Sequence, residues 1–181
     1  REELRLAALR ATTGAETATL TPKRAQSCRV IKPRLFNGED EMTQLEWQDT
    51  LHALQAGPMD TAHQAFVTLT NTLADVSDDE ELACLTQLFV HCKEHFAQEE
   101  LWMQASHMPS IENHMRDHEG VLTLLESAAA DLRAGQHGAG RELAESLAAW
   151  FGRHVATMDA GLAFHMQQAT RSAKPGIPAV G

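Results

Sequence analysis

Basic residues are scarce in this chain: 15 Lys and Arg stand against 25 Asp and Glu, for a formal net charge of −10. So acidic a surface repels phosphate, which excludes nucleic acid as an expected partner and disfavours an anionic membrane face. Long apolar runs are missing too, so no segment is read as crossing a bilayer and no membrane insertion is expected. The N-terminal stretch REELRLAALRATTG lacks the apolar core and small-residue cleavage site of a secretory signal. Cysteine is sparse, and Cys28, Cys84 and Cys92 form no C-x-x-C pair. On one helix Cys84 and Cys92 would sit about 12 Å apart along the axis, beyond disulfide reach. Three reduced thiols in a cytoplasmic protein are the expectation. Tyrosine is absent, β-branched residues are few, and no segment alternates with a period of two, which argues against strands.

What remains is helical. A chain of 181 residues is expected to form one domain with a sizeable core. Residues 1–46 read as an N-terminal extension, a possible short helix at 2–11 followed by a poorly ordered lead-in rich in Gly, Pro and polar residues. Residues 168–181, ending KPGIPAVG, read as a flexible tail. Between them, over 47–167, four stretches carry helical periodicity. The first runs from Thr61 to about Asp75 behind an Asp60 N-cap, and the second from Asp78 to about Ser106 behind a Ser77/Glu80 capping box. The third opens at Pro109 and ends before Gly135, and the fourth follows Gly140 and runs to about Gln167. Short connections make neighbours antiparallel, so the expected fold is an all-α, up-down-up-down four-helix bundle.

Histidine is abundant where tyrosine is missing: there are ten. His is the commonest metal-ligating side chain. His95 and Glu99 are four apart on the second helix, as are His114 and His118 on the third, so each pair shares a face. The fourth helix carries His154 and Asp159, and the first carries His63. Converging in a bundle, five imidazoles and two carboxylates suit a pair of borderline transition metals, with the carboxylates able to bridge. A lone bundle His is more often exposed or hydrogen-bonded, and a His/Glu pair is common on solvated faces. Two such pairs flanked by Phe96, Leu101, Ile111 and Val121 are hard to ascribe to a solvated face, and burying them without a metal is costly. The spacing of five between His154 and Asp159 would separate them by about 140° on a regular helix, and a local π-type turn would bring them together.

Order, spacing and flanking residues resemble one family. HFAQEELWM at 95–103, Pro109, His114 and His118, then WFGRH at 150–154 with Asp159, preceded by Trp47 and GPMDTAHQAF at 57–66, look like the signature of hemerythrins and bacterial hemerythrin-like domains. The resemblance implies that His63, His95, His114, His118 and His154 are terminal ligands of two iron ions cycling between Fe2+ and Fe3+. It implies that Glu99 and Asp159 bridge those irons together with an oxo or hydroxo group. His114, His118 and His154 would saturate one iron; His63 and His95 would leave the other a vacant position for dioxygen. The implied function is reversible dioxygen binding for storage, delivery or sensing. The chain departs from the family pattern at Met108, Val121 and Phe151, which bear on the shape and polarity of the oxygen pocket.

His52, His91, His107, His137 and His165 match no ligand position and read as surface residues or supports behind the ligands. Residues 91–95 match the H-x-x-E-H pattern of some zinc peptidases, but His95 is better used with Glu99. A ferritin-like carboxylate site needs Glu-x-x-His on two helices, and no His here has Glu three residues before it. A di-iron enzyme on the same scaffold, reducing peroxide or oxidising nitric oxide or iron, is the alternative. The apolar Phe96, Phe151 and Met59 placed near the vacant position favour a non-enzymatic binder.

Overall fold

The computed structural model describes residues 44–173, so the expectations for a helix at 2–11 and for the tail beyond Ala173 lie outside the described residues. Within them every regular element is helical: α1 (Asp49–His52), α2 (Pro58–Ala74), α3 (Asp78–Ala105), α4 (Ile111–Arg133), α5 (Ala139–His154), a π turn (Val155–Asp159) and α6 (Ala160–Ala173). The last three form one continuous path, the fourth helix of the bundle. α2 packs on α3 and α5, and α4 packs on the same two, which closes the expected ring of antiparallel neighbours.

The helices begin and end for reasons the sequence only partly displays. α2 starts at Pro58 rather than Thr61. Asp60 does not cap it; its carboxylate accepts the backbone N–H groups of Leu54 at 2.8 Å and Ala56 at 3.0 Å, tying down the approach to the helix. Ser77 is the N-cap residue of α3, but its hydroxyl bonds the Asp79 and Glu80 carboxylates instead of a backbone N–H, so the capping box does not form. α4 starts at Ile111, two residues later than Pro109 suggests. The fourth helix runs on to Ala173, past the expected Gln167. Order also begins earlier: Leu45 exchanges two 2.9 Å bonds with the Asn71 side chain.

The start of α5 is held from another helix. Glu81 is fully buried, and its carboxylate accepts the N–H groups of Gly138, Gly140 and Arg141 at 2.8, 2.8 and 2.9 Å. Negative charge there satisfies donors that a helix start leaves unpaired and complements its dipole. The approach needs a glycine: a Cβ on Gly140 would lie 3.0 Å from Glu81 Oε1 and 3.1 Å from Leu73.

The core has two apolar blocks with a polar layer between. The larger block includes Phe66, Leu73, Leu88, Leu125, Leu147 and Phe151. The smaller, Met59, Met103, Met108 and Leu162, lies beyond the histidines at the other end. Met59 packs in this methionine block rather than beside the vacant position, since it precedes His63 by one turn. Cys84 is disulfide-bonded, which corrects the expectation of three reduced thiols, while Cys92 is a buried free thiol. Burial pushes the Cys92 thiol up to about 12, so it stays protonated. No helix among the described residues is long and apolar enough to cross a membrane.

Candidate metal centre

The polar layer contains all seven residues singled out in the sequence, and each is buried: His63, His95, Glu99, His114, His118, His154 and Asp159. His63 comes from α2, His95 and Glu99 from α3, His114 and His118 from α4, His154 from the end of α5 and Asp159 from the π turn. That turn does what the spacing of five requires, placing Asp159 Oδ1 3.1 Å from His154 Nε2.

The five imidazoles fall into two groups, and the carboxylates divide between them. Glu99 Oε1 lies 3.1 Å from His95 Nε2 and 3.7 Å from His63 Nε2. Its other oxygen lies 3.3 Å from both His114 Nε2 and His118 Nε2. Asp159 repeats the division: Oδ2 is 3.2 Å from His63 Nε2, while Oδ1 is 3.1 Å from His114 Nε2. On the three-imidazole side, His154 Nε2 is 3.0 Å from His118 Nε2 and 3.2 Å from His114 Nε2.

Such an arrangement is not self-sufficient. All four oxygens of Glu99 and Asp159, and His63 Nε2, are buried without a hydrogen-bond partner. Burying two carboxylates costs several kcal/mol each, by order of magnitude, unless they are paired with charge. Burial alone pushes the His63 and His114 imidazoles down, but Asp159 and Glu99 beside them prevail and hold both up at about 9. Burial raises the Glu99 and Asp159 carboxyls, yet the imidazoles close around them hold both below the usual carboxylate range. His118 is shifted down, chiefly by burial. Without a cation His63 and His114 are thus protonated imidazoles facing the two carboxylates. Two cations in place of those protons would satisfy the same oxygens, so the donor set fits a metal pair.

Residues 57–163 match the family model described as the hemerythrin HHE cation binding domain. The chain belongs to the hemerythrin family. The bacteriohemerythrin of Ralstonia nicotianae (strain ATCC BAA-1114 / GMI1000) is 35% identical over 118 residues, which are 65% of this chain and 85% of that protein. A crystal structure of a leucine-to-phenylalanine mutant matches with a TM-score of 0.64 at 19% identity, over 69% of this chain and 98% of its own, which shows likeness of fold.

This hemerythrin-family site has supports that the sequence did not disclose. Asp117, beside His118, reaches across to the fourth helix, where its Oδ2 lies 2.7 Å from His154 Nδ1 and accepts the Trp150 indole N–H at 2.8 Å. His52 is buried, a support behind the ligands rather than a surface residue; the Gln48 N–H donates to its Nδ1 at 3.1 Å, and its ring meets Phe151 edge-on at 5.3 Å. His91 is half-buried, with Nε2 3.1 Å from the Ala62 carbonyl oxygen and its ring stacked on His95. Glu94 is exposed, which removes the zinc-peptidase pattern. His107 and His137 are exposed and His165 is half-buried; none joins the layer.

Beside the two-imidazole group lies a space of about 10 Å³, lined by His63, His95, Asp159, His154, Phe66, Phe96, Trp150 and Phe151. It has room for a single small molecule. Phe151 stacks on Phe66 at 5.0 Å and meets the His63 ring edge-on at 5.6 Å. Phe96 lies flat on His118, with centroids 3.8 Å apart and planes 3° from parallel.

Proposed function

We propose that this chain binds dioxygen reversibly at a di-iron centre. His114, His118 and His154 would hold one iron and His63 and His95 the other, with the carboxylates of Glu99 and Asp159 shared between them. The observation that carries this reading is the division of both carboxylates between a group of three imidazoles and a group of two. Three imidazoles and two carboxylate oxygens leave little room for another ligand, whereas two imidazoles and two oxygens leave a position for one. Metals with a vacant position bind or activate small ligands, and closed ones do not. An iron pair so held would supply the electrons that bind dioxygen and would recover them on its release.

The chain's own residues keep that exchange reversible. Phe66, Phe96, Trp150 and Phe151 turn rings towards the small space beside His63 and His95. They exclude water from it, and with water go the protons that would make reduction of the ligand irreversible. No carboxylate other than Asp159, and no imidazole other than His63, His95 and His154, lines that space. The site therefore lacks the separate acid or base that peroxide turnover needs.

The test is the metal content and visible spectrum of purified protein under air, after anaerobic reduction, and through repeated oxygen exposure. Two irons per chain and a spectrum that cycles with oxygen pressure are expected. One metal per chain would remove the di-iron reading. Irreversible oxidation in a single exposure, followed by peroxide turnover, would replace the carrier with the enzyme.

A further inference from the structure

His154 is the one ligand held from behind by a charged group. Its Nδ1 lies 2.7 Å from Asp117 Oδ2, whereas the Nδ1 atoms of His63 and His114 are buried without a partner. The Trp150 indole N–H, one turn before His154, donates to the same Asp117 oxygen at 2.8 Å. Trp150 also lies on the face of the His154 ring, with centroids 4.4 Å apart and planes at 25°. Asp117 remains partly exposed, so its charge needs no other buried partner.

An imidazole that donates one N–H to a carboxylate cannot turn about its own axis, and its other nitrogen becomes a stronger donor. We propose that Asp117 and Trp150 are a positioning pair: they hold His154 with Nε2 turned into the cluster and set how strongly it donates to the iron it ligates. This rests on the di-iron reading above. The two partners act with opposite sign. The carboxylate stabilises the more highly charged, oxidised metal, while the indole N–H draws charge from that carboxylate and moderates the effect. A pair that served only to fill space would show no such opposition.

Asp117→Asn and Trp150→Phe test the idea, with iron retention against a chelator and reduction potential as readouts. Asp117→Asn keeps the shape and removes the charge; iron retention should fall roughly 10–100-fold, and the reduction potential should move upward. Trp150→Phe keeps a ring against His154 but removes the donor, so iron should stay and the potential should move downward. A third readout uses no iron: in metal-free protein the His154 Nδ1–H resonance should lie far downfield, resist exchange, and disappear in Asp117→Asn. Shifts of the same sign in both variants, or no shift in either, would overturn the proposal. If wild-type protein holds no iron pair, the di-iron reading fails by metal analysis, and the metal-free spectrum still judges the pair. If irons bind normally but that resonance is missing, the pair alone fails.

Discussion

Replacing Phe151 with alanine separates the binding of iron from the protection of what iron binds. The ring is almost fully buried, stacks on Phe66, and meets His63 and His52 edge-on. Removing a buried Phe side chain costs about 3–5 kcal/mol. At roughly 2–4 °C per kcal/mol for a domain of this size, melting should fall by roughly 6–20 °C. No ligand residue is replaced, so two irons per chain should remain. What changes is the space beside His63 and His95, now about 10 Å³. Loss of the ring enlarges it enough for several waters, each needing about 30 Å³. A positioned proton donor is worth about 10²–10⁴ in rate. Mobile water is a poorer donor, so at least about a tenfold faster loss of the oxygen-binding form is a conservative expectation. The assay follows visible absorption of reduced, iron-loaded protein in air, with iron content measured alongside. A variant that keeps its iron and oxidises no faster than the native protein would refute the argument that these rings keep the site dry.

Asp159→Asn and Glu99→Gln keep size but remove charge needed to span two cations, so elemental analysis should find at least one iron lost; His91→Ala, behind His95, should keep both. Glu81→Ala strips three backbone donors of their buried acceptor and should cost about 3–5 kcal/mol in denaturant unfolding. The pH dependence of metal-free protein follows from two directions. His63 and His114, held at about 9 against about 6.5 unfolded, contribute stability that is complete below pH 6.5 and lost as pH rises through 9. Glu99 and Asp159, held low, contribute stability that is lost on acidification below the ordinary carboxylate range. Melting temperature of the metal-free protein should therefore fall on both sides, and the alkaline fall should vanish once iron replaces the protons.

Six of the clustered residues carry a local signal, whereas His63, alone on its helix, was legible only through the resemblance of its flanking residues. His95/Glu99 and His114/His118 declare a shared face through spacing alone, and the awkward five between His154 and Asp159 announces the π turn. Residues that act across helices were not legible. Nothing in the sequence singles out Asp117 beside His118, and only the approach of α5 reveals Trp150 and His154 at its oxygen. Glu81 reads as a first-turn acid of its own helix, yet it caps another. Asp60 and Ser77 carry the right residue types for caps, but nearer partners take their side chains. For His52 the sequence left surface and support both open, and only the segment before α2 folding against Phe151 decides for support.

The π turn also means that the fourth helix contains one residue more than the path between its two ligands requires. A regular helix puts residues four apart on one face, as His95/Glu99 and His114/His118 already show. Deleting Ala156 or Thr157, both exposed, would turn the five-residue spacing into four and the wide turn into an ordinary one. Phe151 would keep its place over His63, and Leu162 its place in the methionine block. The same deletion at Thr86 in α3 would rotate every later residue of that helix by about 100° and dismantle the core. Shortening at the π turn should give a protein that still folds and still gathers its ligands. Length in these helix interiors is thus held by the register of the core, except beside the site itself, where the π turn can give up one residue without shifting the rest.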